Sequence, residues 1–80
     1  MINILFFARL KDVIGQAEVQ LEDTYAGQTI AQLQQALIEQ GMVALKDDSI
    51  RVALNQNFCA ADTVVKAGDE VAFMPPVTGG

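Results

Sequence analysis

At 80 residues, 51% of them apolar and 19% charged, the chain can enclose one hydrophobic core and is too apolar to stay disordered, so a single domain is expected. Its net charge of −5 repels the phosphates that dominate nucleic-acid affinity, and one Cys without any His removes Cys/His zinc sites, disulfide frameworks and Ser-His or Cys-His nucleophiles. No apolar run approaches the roughly 18 residues of a membrane span, and no basic leader or cleavage site follows Met1, so a cytoplasmic protein with no nucleic-acid or membrane partner is expected.

Ile2 to Ala8 is a run of β-forming apolar residues, predicted as a strand that is apolar on both faces. Leu10, Val13 and Ile14 have helical spacing, so Arg9 to Ile14 closes one or two helical turns before Gly15 stops it. Ala17, Val19 and Leu21 alternate with Glu18, Gln20 and Glu22, which predicts a strand with one dry and one wet face. After a loop over 23–28, Thr29 and Gln32 form a capping box, and Ile30, Leu33 and Leu37 line one side of a main helix predicted over 29–40, with Gly41 beyond its last turn. Residues 42–45 lead into a polar turn over 46–49, and Ile50, Val52 and Leu54 mark a third strand. Asn55-Gln56-Asn57 reads as a hairpin turn into a short strand over 58–60. An irregular stretch over 62–66 and a bend at Gly68-Asp69 precede the last strand, Glu70 to Met74, stopped by Pro75-Pro76. One main helix over a mixed sheet is an α+β arrangement, with a domain over 1–74 and an extended tail over 75–80.

The tail Pro75-Pro76-Val77-Thr78-Gly79-Gly80 is the candidate site. A frayed end is the plain alternative. With no β-carbon on Gly79 or Gly80, the terminal carbonyl is open to attack and the backbone can thread a narrow channel. Pro75 and Pro76 stiffen the base toward polyproline II, and six residues at about 3.1 Å each reach about 18 Å. A terminal carboxylate is ionised at neutral pH and is a poor electrophile, so it needs activation. A partner that binds ATP-Mg and forms an acyl-adenylate at Gly80 supplies that, and the carrier itself needs no permanently bound cofactor.

The segments Ile4-Leu5-Phe6-Phe7-Ala8, Asn55-Gln56 and Gly68-Asp69-Glu70-Val71-Ala72-Phe73, together with the tail, resemble the small, sulfur-carrying subunits of molybdopterin synthases over the whole chain. The resemblance implies a ubiquitin-like β-grasp fold with a flexible Gly-Gly tail. It also implies that Gly80 is adenylated by a ubiquitin-activating-like enzyme and converted to a thiocarboxylate, with a cysteine desulfurase or rhodanese as sulfur donor. The tail would then enter the large synthase subunit and give sulfur to cyclic pyranopterin monophosphate, with the catalytic groups on that larger subunit. By the same resemblance Phe7, Phe58 and Met74 contribute to the partner surface around the tail, and Lys11 stands where relatives often carry Arg. An ammonium at Lys11 does not reproduce the bidentate fork of a guanidinium.

Independent of any resemblance, Leu5, Phe7, Ala72 and Met74 make a second apolar set that a single covering helix cannot bury. Either the loop over 42–49 covers it or it docks a partner, and docking is the preferred reading. Cys59 has no basic neighbour in sequence and reads as structural. Asp47, Asp48, Asp69 and Glu70 lack calcium-loop spacing and read as solvated turn residues, with Asp69 capping its bend through local amides. Two further functions use the same terminus, a sulfur carrier for thiamine or tRNA thiolation and a protein-conjugating tag.

Overall fold

A computed structural model describes residues 1–76. In chain order these form β1 (Ile2–Phe6), α1 (Arg9–Ile14), β2 (Glu18–Leu21), α2 (Ile30–Glu39), β3 (Arg51–Leu54), β4 (Asn57–Phe58) and β5 (Glu70–Met74). The sheet order is β2-β1-β5-β3-β4. β1 and β5 run parallel at its centre, and the other pairings are antiparallel.

The apolar alternation read from the sequence fills the space between the sheet and α2. Ile2, Ile4 and Phe6 of β1 and Val71 and Phe73 of β5 meet Ile30, Leu33 and Leu37 of α2 in one core, and each fully buried side chain of this size contributes about 1.5–3 kcal/mol. Phe6 and Phe73, which are cross-strand partners, stack with ring centres 6.1 Å apart.

α2 begins as its sequence dictates. The Thr29 N–H donates to Gln32 Oε1 at 2.8 Å, and the Gln32 N–H donates to Thr29 Oγ1 at 3.2 Å, which closes the capping box. The remaining early donors bond to the 61–63 segment, Ile30 N–H to Thr63 O and Ala31 N–H to Ala61 O, both at 2.9 Å. The stretch read as irregular thus satisfies a helix terminus. It also seats Val65 fully in the core.

Several boundaries differ from the sequence expectation. β1 stops at Phe6, because Ala8 turns the chain with the Leu10 N–H donating to Phe7 O at 3.1 Å. The 23–28 loop holds a 3-10 turn over Asp23–Tyr25. The residues leading to the polar turn also form one, Val43–Lys46, which buries Leu45 in the core. β3 starts one residue later than expected, at Arg51, and β4 has only two residues. Asn55 and Gln56 between them have φ of 51° and 72°, the two left-handed positions of a type I′ hairpin turn.

Candidate functional site

Alternation along β1 turns Ile2, Ile4 and Phe6 toward α2 and leaves Asn3 and Leu5 on the opposite, uncovered face. The register carries this across all five strands. Glu18 pairs with Leu5, Leu5 with Ala72, Ala72 with Ala53, and Ala53 with Phe58, so these residues form one row. In the next row toward the chain terminus Arg51 pairs with Met74, and the Phe7 N–H extends the central ladder by donating to Phe73 O at 3.1 Å. At the other end the row is Gln20, Asn3 and Glu70. The uncovered face is therefore polar at one end and carries Phe7 and Met74, with Arg51 beside Met74, where β5 runs into Pro75.

Phe58 is 62% exposed and Phe7 46% exposed. Singly scattered rings would need no explanation, but by strand register these two share a face with Leu5 and Met74. The 42–49 loop does not cover it. Its 3-10 turn packs against α2 and α1 and places Leu45 in the core on the helix side of the sheet. The structure thus decides between the two sequence readings in favour of an open face.

Of the residues assigned to a partner surface, Phe7, Phe58 and Met74 share the uncovered face and Lys11 stands at its border. Beside Phe7, a concavity of about 320 Å³ is walled by Leu5, Ala8 and Ala17, with Lys11 and Glu18 on its rim. Pro75 and Pro76 are half-buried and border a groove against Leu10, Val13, Ala44 and Ile50. Val77, Thr78, Gly79 and Gly80 lie outside the described residues. The sequence reading did not assign Ala8, Ala53 or Arg51 to the site. The signal that finds the last two is strand register, which pairs them with Ala72 and Met74.

The titratable groups with shifted affinities lie off this apolar row. Hydrogen bonds from the Asn55 side chain and the Lys66 amide hold the Asp69 carboxyl below its ordinary range, and bonds from Ser49 do the same for Asp47. Both carboxylates order turns, as expected for Asp69. Burial pushes the Cys59 thiol up, and its Sγ lies 3.7 Å from Val52 O, packed against the core. Among the described residues no cluster of three or more His, Cys, Asp or Glu could hold a metal ion, and no helix is long and apolar enough to cross a membrane.

Residues 4–80 match the ThiS family. The chain belongs to that family. This ThiS family member is 42% identical to the molybdopterin synthase sulfur carrier subunit of Haemophilus influenzae, with 100% of each chain covered. It is 36% identical to the protein of the same name from Escherichia coli, again over 100% of both. Among solved structures, small archaeal modifier protein 1 from Haloferax volcanii superposes with a TM-score of 0.71 at 26% identity, covering 95% of this chain and 97% of that one. The five-stranded mixed sheet with its main helix is the ubiquitin-like β-grasp fold that the sequence resemblance implied.

Proposed function

We propose that this ThiS family member is the sulfur carrier subunit of a molybdopterin synthase. The observation that carries this reading is full-length identity of 42% to a protein of that name. The geometry supports it independently, because Met74 on the uncovered face ends the central strand that continues into the tail, with Phe7 of the neighbouring chain segment beside it. Four residues follow Pro76, and a chain of that length spans at most about 14 Å. A partner that receives the terminus in its active site therefore has to sit against the body around Pro76, where the open face with Phe7 and Met74 lies on one side and the groove of Leu10, Val13, Ala44 and Ile50 on the other.

In this reading the Gly80 carboxylate attacks the α-phosphorus of ATP, held with Mg in a ubiquitin-activating-like enzyme, and pyrophosphate leaves. A sulfur nucleophile supplied by a cysteine desulfurase or rhodanese then attacks the acyl carbon and expels AMP. When that nucleophile is the donor's persulfide the product is an acyl disulfide, and a thiol reductant then cleaves its S–S bond, leaving the thiocarboxylate on Gly80 and returning the donor's cysteine as the reductant is oxidised to a disulfide. The thin Gly79-Gly80 end, led by Val77 and Thr78, threads the large synthase subunit and delivers sulfur to cyclic pyranopterin monophosphate. The catalytic groups belong to that subunit, and the carrier works in the cytoplasm without a cofactor of its own.

A second reading, a protein-conjugating tag, is favoured by the likeness to an archaeal modifier protein. Intact-mass analysis after incubation with the activating enzyme, ATP and a sulfur donor separates the two. Replacement of one terminal oxygen by sulfur is the expected result, and lysine-linked adducts without it would establish the tag. Deleting Gly80 should abolish sulfur transfer and leave the thermal melt nearly unchanged; transfer at the normal rate by the deletion variant would overturn the carrier reading.

A further inference from the structure

Ala8 adopts φ 53° and ψ −132°, a backbone conformation that suits the first central position of a type II′ turn and that glycine adopts without strain. The turn is closed by the Leu10 N–H donating to Phe7 O at 3.1 Å. It reverses the chain between β1 and α1, which lets Phe7 stay on the open face while Leu10 enters the core. A glycine would serve that reversal better than alanine. Strained residues of this kind persist where the surroundings or the function demand them.

Ala8 is exposed, so no packing within the chain accounts for its side chain. It does line the concavity of about 320 Å³ beside Phe7, together with Leu5, Phe6 and Ala17 and the oppositely charged Lys11 and Glu18. Leu5 of that concavity pairs with Ala72 of β5, so the concavity lies on the face whose end adjoins the start of the tail, where a partner holding the terminus comes to rest in the proposed function.

We propose that Ala8 is a positioning residue for partner binding, its methyl group forming a wall of the concavity in which the large synthase subunit seats an apolar side chain. This inference rests on the sulfur-carrier reading above. The alanine is retained at a cost in fold stability because the wall contributes to binding, so stability and affinity should respond to its removal in opposite directions. A residue with a purely structural role would move them together.

The test uses the full-length carrier and the purified large synthase subunit, with thermal melts and calorimetric titration of Ala8→Gly and of Phe7→Asp. The expected result for Ala8→Gly is a melting temperature raised by about 2–4 °C together with a dissociation constant about fivefold weaker. Unchanged affinity in Ala8→Gly, or a lowered melting temperature, would overturn the inference. Phe7→Asp tests the underlying surface: if it too binds normally, the partner does not use this face at all. If only Ala8→Gly binds normally, the role of the methyl group alone is rejected.

Discussion

The guanidinium carbon of Arg51 lies 4.1 Å from the centre of the Phe58 ring, across the β3–β4 hairpin. The two are diagonal neighbours, since Phe58 pairs directly with Ala53. The cation rests on a ring that is otherwise mostly exposed and gives an aromatic on a two-residue strand a fixed orientation. Phe58→Asp should therefore weaken binding of the large synthase subunit by more than about 1 kcal/mol, while the melting temperature falls only slightly because the ring buries little within the chain. Titration calorimetry and thermal melts on the same variant check this. Normal affinity would remove β4 from the partner surface.

That pair also shows what the sequence could and could not convey. Period-2 alternation and capping chemistry are local, and they located β2, α2 with its Thr29–Gln32 box, and β5 to the residue or close to it. The rows of the open face depend on register between strands far apart in sequence, such as Ala53 beside Ala72, which no local pattern encodes. The end of β1 was missed for a related reason. Phe7 and Ala8 have strand-like composition, but the turn they make is set by burial of Leu10 on α1, a tertiary demand that overrides propensity. Leu45 illustrates the same point, because residues 42–45 read only as a lead into the polar turn over 46–49, and only the packing of α2 shows that Leu45 closes the core.

Asp69 predicts a definite acid response. Its Oδ1 accepts from Asn55 Nδ2 at 3.0 Å and its Oδ2 from the Lys66 N–H at 2.8 Å, while Asn55 Oδ1 accepts from the Glu70 N–H at 3.0 Å. These bonds favour the carboxylate and lower its pKa from 3.8. A folded-state pKa below the unfolded one means that the unfolded chain binds the proton first, so this stabilisation is complete above the ordinary value and is lost as pH falls through the folded one. Asp69→Ala should melt lower than the parent at pH 7, and the gap should narrow below about pH 4. A gap that is constant from pH 7 to pH 3 would show that the charge of Asp69 contributes nothing to the bend.

Cys59 predicts the opposite pH sense. Burial disfavours the thiolate and raises the pKa from 9.0, partly offset by the Thr63 hydroxyl. Here the unfolded chain loses its proton first, so the contribution of Cys59 is intact at neutral pH and declines once pH passes the unfolded value. Two observable consequences separate a structural thiol from a reactive one. Alkylation of the native protein at pH 8 should be slower than that of the chain unfolded in denaturant, because the thiolate fraction and the access of Sγ are both reduced where it packs beside Val52 O. Cys59→Ser should leave sulfur loading and transfer through Gly80 intact, since the proposed function places the carried sulfur at the chain terminus. A Cys59→Ser variant that folds normally but fails to transfer sulfur would place this thiol in the relay and contradict a role confined to packing.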